Sequence, residues 1–232
     1  MPSNLQSKIA AEFLGTFTFV LVGAGAAIGA VASGANDPGI RLVIAALANG
    51  LGLAVFVSVT MPVSGGVLNP AVALSLLVAR KLHVKEFVFY VVAELLGAVT
   101  AVLALMAAIP SLLGASAGWG APALSSALSV EQGVAAEALM TFVLVIAVFG
   151  TAVDGRAPKI AGFGIGLAVL ADVLMGGSLT GAAMNPARAL GPMIASLSVP
   201  SYWYIYVVGP VVGALAASIA YRFALGEEPR TG

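Results

Sequence analysis

Two apolar blocks in this chain are too long to be single membrane helices, and this restricts the fold more than any other feature. Residues 42–79 hold 38 consecutive positions without Asp, Glu, Lys or Arg. As one α-helix they would measure roughly 57 Å, whereas the hydrocarbon core of a bilayer is about 30 Å thick. A second block at about 159–199 is similarly long. Each block must therefore contain one full span and an additional piece.

The composition indicates an integral membrane protein built from helices. Hydrophobic residues make up 60% of the 232 positions and charged residues only 9%, against roughly 25% charged residues in a soluble domain. The apolar runs are continuous, whereas a membrane barrel would show short alternating segments. The apolar blocks, six in all, lie at about 9–33, 41–79, 86–112, 131–153, 159–199 and 202–225. We therefore expect an all-α membrane protein with six transmembrane helices.

Charge and residue types argue against several classes of function. The formal net charge is zero, so the sequence has no basic footprint for a nucleic acid. There is no cysteine and a single histidine, His83, which lies in the charged segment RKLHVKE. No cluster suits a metal ion, and no nucleophile is paired with a base. We expect no metal, no cofactor and no enzymatic activity.

The additional pieces in the long blocks are SGGVLNPAVALSLLV and TGAAMNPARALGPMI. In each, glycines end the preceding helix, and an Asn-Pro pair follows; Asn is a favoured N-cap and Pro a favoured first helical residue. This pattern predicts short re-entrant half-helices that begin at Asn69 and Asn185. Non-helical backbone at membrane depth is tolerated only where it is buried in protein or lines a water-filled cavity. Two such segments indicate a polar path through the protein.

The two halves of the chain repeat each other. AEFLGTF matches AEALMTF at five of seven positions, and two further matches share an offset of 116 residues. The matched pairs are 11–17 with 136–142, 69–71 with 185–187, and 91–98 with 207–214. Because each half holds three spans, the second half is expected to be inverted relative to the first. We predict a single channel domain over 1–232, with inverted repeats at about 1–125 and 126–232.

Loop charge predicts the orientation. Arg41 is the only cation expected in the loops on one side. The cations on the other side are Lys8, Arg80, Lys81, Lys85, Arg156, Lys159, Arg222 and Arg230. The positive-inside rule then places both termini in the cytoplasm of a multi-pass protein of the cell membrane. Aromatic residues within 87–90 and 202–206 are interpreted as interfacial anchors.

The repeat would bring the two half-helices together near the midplane of the membrane. Each helix N-terminus carries about half a positive charge. If the Asn side-chain oxygens cap these helices, the amide NH₂ groups remain as donors. Such a centre opposes cations and hydronium but passes neutral hydrogen-bonding molecules. Arg188, the only charged residue between Val173 and Tyr221, would add a full charge; snorkelling to an interface is the alternative.

The chain resembles the aquaporin, or major intrinsic protein, family. The resemblance rests on the paired segments SGGVLNPAV and TGAAMNPARALGP, on AEFLGT and its repeat AEALMT, and on the six spans. The resemblance implies an hourglass fold, a homotetramer with one pore per subunit, and passive conduction. Arg188 would belong to the narrow outer constriction, and Glu12 and Glu137 would accept backbone N–H groups of the re-entrant loops. The residues implied at the centre are Asn69, Pro70, Ala71, Asn185, Pro186 and Ala187.

The same resemblance implies that Asn49, Val173 and Ala182 complete the constriction with Arg188. Strictly water-selective members have an aromatic at the first of these positions and histidine at the second. The smaller residues here predict a wider and less polar opening, more like that of vacuolar plant and archaeal aquaporins. Glycerol facilitators have Asp after the filter arginine, where this chain has Ala189. Water conduction is predicted; the alternative is a facilitator of glycerol, urea or ammonia.

Two further acids, Glu94 and Asp172, lie in predicted spans. Each could pair with Arg188 or line the pore, but a buried hydrogen bond or a subunit contact is favoured, since neighbours of a pore-facing residue point elsewhere on a helix. An ion-coupled transporter would need an ionisable centre at the midplane. No acid adjoins either Asn-Pro-Ala motif, and the half-helix dipoles oppose cations. A scaffold role would leave both re-entrant segments unexplained.

Overall fold

The computed structural model describes residues 4–156, 158 and 160–225, so Lys159 and Arg230 lie outside the described residues. The helices there are α1 Leu5–Ala32, α2 Pro38–Ser64, α3 Pro70–Val78, α4 Val84–Ala108, α5 Ser111–Ser116, α6 Val130–Val148, α7 Ala161–Thr180, α8 Pro186–Ala195 and α9 Ile205–Ala220. A 3₁₀ turn at Gly118–Gly120 follows α5, and π-helical turns at Phe149–Val153 and Tyr221–Leu225 extend α6 and α9. Six of these helices are long and apolar enough to cross a membrane, which confirms the predicted all-α class with six spans.

Each long apolar block divides into a span and a short helix, as predicted. The spans α2 and α7 are each followed by a C-cap glycine, Gly65 and Gly181, with left-handed backbone at φ 96° and 83°. Glycine adopts this conformation without the steric penalty of a side chain. After an extended loop, α3 and α8 begin with Pro at the first helical position and are 9 and 10 residues long. Helices of about 15 Å cannot cross a bilayer.

The two halves of the chain pack through one another. The spans α2 and α7 cross at Gly50 and Gly166, where a Cβ on Gly166 would lie 2.4 Å from the Gly50 carbonyl oxygen. The short helix α3 packs against α9, and α8 packs against α4. Each short helix is therefore held by a long helix of the other half, and this arrangement brings their N-terminal ends together.

Two tyrosines contradict the interpretation of their segments as interfacial anchors. Tyr90 and Tyr206 are fully buried. The hydroxyl of Tyr90 donates to the Ser64 carbonyl, and that of Tyr206 to the Thr180 carbonyl, both at 2.8 Å. They therefore hold the last residues of α2 and α7, where the loops begin. The residue type alone could not show this, because a tyrosine suits an interface and a buried hydrogen bond equally well.

Candidate functional site

Two asparagines cap the two short helices in the same way. The side-chain oxygen of Asn69 accepts from the Ala71 N–H at 2.9 Å. The side-chain oxygen of Asn185 accepts from the N–H groups of Ala187 at 2.9 Å and Arg188 at 3.2 Å. Both helices therefore begin at the residues expected from the Asn-Pro pattern, and their first N–H groups have partners.

The amide nitrogens of these asparagines join the two loops crosswise. Asn69 Nδ2 donates to the carbonyl of Met184 at 3.0 Å, and Asn185 Nδ2 donates to the carbonyl of Leu68 at 2.8 Å. The sequence predicted that the amide NH₂ groups of both asparagines remain as donors. In the structure one N–H of each amide is used on the opposite loop, which leaves the second for the cavity that both residues line. No local pattern reveals a contact between residues more than 110 positions apart.

The loops before the short helices share an unusual backbone. Leu68, Ala182 and Met184 have positive φ angles of 50°, 45° and 52°. Left-handed backbone costs a residue with a side chain roughly 1–2 kcal/mol. Such a conformation persists only where its surroundings hold it. The loops must therefore be fixed by contacts outside their own segments.

Buried carboxylates supply those contacts. Glu12 accepts from the N–H groups of Val67 at 3.0 Å and Leu68 at 2.6 Å. Glu137 accepts from the N–H groups of Ala183 at 3.0 Å and Met184 at 2.7 Å. Both acids are fully buried. A buried carboxylate is tolerated where several donors surround it, so these bonds stabilise the acids and the loops together.

A third acid serves only the first loop. Glu94 Oε1 accepts from the N–H of Asn69 at 3.0 Å, so Glu94 bonds the first loop directly. The matching position in the second half, 116 residues later, is Pro210, so the second loop has no corresponding acid there. The Oε2 atom of Glu94, like Asp172 Oδ2, is buried and has no hydrogen-bond partner among the described residues. Neither acid is among the described residues that line the cavity between the loops.

One cavity of about 230 Å³ passes between the two loops. Its polar side chains include Asn69 and Asn185, with Arg188 and Lys81 farther along. Arg188 bonds to Gly120, beyond the C-terminal end of α4, whereas Lys81 precedes the N-terminal end of α4. The cavity therefore extends toward opposite ends of this span. The apolar part of its wall includes Phe19, Leu53, Val57, Leu144, Val148, Ile165 and Val169.

Arg188 is held at one end of this cavity by a turn that has no strong sequence pattern. Its Nη1 atom donates to the Gly120 carbonyl at 3.2 Å. Gly120 has a left-handed φ of 77°, and a Cβ there would lie 2.5 Å from the Cα of Ala24. Glycine is thus required for the close approach to α1. The two glycines around Trp119 were the only local signal of this turn.

The other predicted constriction residues differ in position. Asn49 and Ala182 line the cavity together with Arg188. The amide of Asn49 donates to the carbonyl of Ala45 at 2.9 Å, so this group is turned back to its own helix. Val173 is buried but is not among the described residues that line the cavity, whereas Val169 is. The assignment of Val173 to the constriction stays a prediction.

Comparison with known proteins identifies the family. Residues 2–221 match the family described as "Major intrinsic protein". This chain belongs to the major intrinsic protein family. The membership predicted from the Asn-Pro-Ala segments is confirmed, and the protein is a multi-pass membrane channel and not an enzyme.

Several members of the family are similar over nearly the whole chain. "Probable aquaporin TIP3-2" of Arabidopsis thaliana is 38% identical over 97% of this chain and 85% of that protein. Aquaporin AqpM of Methanothermobacter thermautotrophicus is 36% identical, covering 97% and 99%. The X-ray structure of the aquaglyceroporin from Plasmodium falciparum aligns with a TM-score of 0.87 at 23% identity, covering 96% and 97%. This last similarity shows the shared fold.

Proposed function

We propose that this chain is a passive water channel that excludes protons and ions and admits some small neutral solutes. The observation that carries the proposal is a cavity lined by both capping asparagines, with Arg188 toward one end and Lys81 toward the other. Its volume of about 230 Å³ suits a narrow path for water-sized molecules.

The centre of the cavity explains how water could pass while protons do not. The second amide N–H of Asn69 and of Asn185 can donate to the oxygen of a passing water. That water then directs its own hydrogens away from the centre. Both short helices add the positive ends of their dipoles. A hydronium ion or a metal cation is repelled there, whereas a neutral water keeps its hydrogen bonds.

The end of the cavity near Arg188 would select among neutral solutes. The guanidinium adds a full positive charge, but the side chains proposed beside it are small. Ala182 contributes only a methyl group, and the amide nitrogen of Asn49 is bonded to its own helix. An opening of this kind supports the second candidate function, an aquaglyceroporin-like facilitator of glycerol, urea or ammonia. Val173 is proposed to complete this constriction.

The proposed setting is a homotetramer in the cell membrane, with both termini in the cytoplasm. Membership of the major intrinsic protein family supports the tetramer. Within one chain, an ion pair of 2.6 Å between Lys8 and Glu86 joins the beginnings of α1 and α4. Light scattering of the purified protein measures the assembly.

Because the natural chain has no cysteine, single cysteines at the exposed positions Leu112 and Phe223 can test orientation. A membrane-impermeant maleimide applied to cells should label only Leu112→Cys.

Osmotic measurements on proteoliposomes test the function directly. We expect stopped-flow light scattering to show vesicle shrinkage much faster than in empty liposomes, with a low activation energy. Separate gradients of glycerol, urea and ammonia define the solute range. Shrinkage no faster than in empty liposomes, from a protein shown to be a folded tetramer, would contradict the proposal. Glycerol entry as fast as water flux would favour the facilitator.

A further inference from the structure

A second cavity of about 490 Å³ lies at the end of the molecule where α3 and α9 finish, and it shares Lys81 and Val153 with the wall of the proposed water path. Three cations take part in its wall, Arg80 and Lys81 after α3 and Arg222 after α9. Among the described residues none of the three forms an ion pair. A concave wall with three unpaired cations is suited to a polyvalent or strongly charged anionic group.

The acid in the same wall does not cancel this charge. The carboxylate of Asp154 accepts from Arg156 Nε at 2.9 Å and from the Tyr221 hydroxyl at 2.7 Å. The Arg156 guanidinium beside it holds the pKa of Asp154 well below its usual range. Asp154 is therefore a carboxylate whose charge is already compensated by a neighbour. Among the described residues, the wall of this second cavity therefore carries a net positive charge.

The rest of the wall includes apolar residues from the ends of two candidate membrane spans. Ile219 lies within the candidate span Ile205–Ala224, and Phe149 lies within Val130–Val153. The side chains of Ile219 and Phe223 are 56% and 83% exposed. Cations above an exposed apolar wall match a molecule with an anionic head and a hydrocarbon tail. A free phosphate compound would leave the apolar part of the wall unused.

We propose that this cavity binds an anionic phospholipid of the adjacent leaflet, with its phosphate between Arg80, Lys81 and Arg222. Its glycerol backbone and first methylenes lie along Ile219 and Phe223. Basic pockets between spans near the cytoplasmic surface are suited to such headgroups. Among the described residues, the site shares only Lys81 and Val153 with the proposed water path. Lipid binding is measured separately from water flux, so this proposal can fail while the proposed function holds.

Native mass spectrometry of the purified channel, titrated with phosphatidylglycerol or phosphatidylcholine, tests the proposal. The variant is Arg80→Gln with Arg222→Gln, and Lys81 is retained because it also lines the water path. The control, Arg41→Gln with Lys85→Gln, removes two cations that do not line the cavity. At about 1 kcal/mol per cation, we expect phosphatidylglycerol affinity to fall roughly tenfold to thirtyfold in the variant and by less than twofold in the control.

Several outcomes would overturn the proposal. One is an equal affinity of the wild type for phosphatidylglycerol and phosphatidylcholine. Another is an equal loss of phosphatidylglycerol affinity in the variant and in the control. Displacement of phosphatidylglycerol by glycerol 3-phosphate at the same concentration would make the ligand a soluble phosphate. Unchanged water permeability of the Arg80→Gln, Arg222→Gln variant in phosphatidylcholine vesicles shows that it is folded.

Discussion

Arg188 brings a full positive charge to one end of the cavity between the two loops and donates there to the Gly120 carbonyl. We predict that Arg188→Ala both widens this end and removes its barrier to cations. Vesicles loaded with a pH-sensitive dye should show a proton leak, and urea and glycerol entry should rise several-fold. Arg188→Lys, which keeps the charge, should leak less than the alanine variant. An unchanged conductance and an unchanged solute cut-off would show that Arg188 is not part of the constriction.

Glu94 provides a second test at the scale of one residue. We predict that Glu94→Gln keeps the acceptor for the Asn69 N–H and leaves stability and water flux near those of the wild type. Glu94→Ala leaves that N–H buried without a partner, which costs about 1–3 kcal/mol. Its thermal midpoint should fall by several degrees, and water flux should fall as the first loop loosens. Differential scanning fluorimetry and stopped-flow shrinkage measure both. Equal stability of the two variants would contradict this account.

At the scale of elements, the crossing of α2 and α7 depends on two glycines. We predict that Gly166→Ala destabilises the protein by about 1–3 kcal/mol, because its Cβ would lie 2.4 Å from the Gly50 carbonyl oxygen and overpacking has this cost. Both loops follow these helices, so water flux should also decrease. The thermal midpoint of the purified protein measures the first effect.

A matched control exists on another span. Gly29 is a helical glycine of α1, and a Cβ there would meet nothing within 4 Å. Gly29→Ala should be neutral or slightly stabilising, because alanine has the higher helix propensity by roughly 1 kcal/mol. If both variants lose the same stability, the loss reflects the general sensitivity of helical glycines and not the crossing.

The sequence predicted helices well where the length of an apolar block or a local capping pattern determines where they begin and end. The long blocks had to contain more than one helix, and Asn-Pro after glycine indicated where α3 and α8 begin. The sequence did not predict α5 or the turn Gly118–Gly120, since neither has a strong apolar or capping pattern. It also misplaced Tyr90 and Tyr206, whose hydroxyl partners lie 26 residues away in the chain.

At the scale of the whole molecule, the halves share contacts but differ in charge. The tyrosine bonds to Ser64 and Thr180 recur 116 residues apart, as do the capping asparagines. The motif repeat made the centre of the site predictable from the sequence. Differences in residue type between the halves, such as Val72 at the position that matches Arg188, could be read from the sequence. The contacts that these residues make could not. The partner of Arg188 depends on how a turn that is distant in the chain packs against α1.

The crosswise bonds of Asn69 and Asn185 also bear on how the protein is made. Each amide finds its carbonyl acceptor on the loop of the other half, so neither re-entrant segment is complete while the other is absent. In a bilayer an unsatisfied polar group costs several kcal/mol. We therefore expect the first loop of a nascent chain to reach its final position only after the second loop has inserted and supplied the carbonyl of Met184.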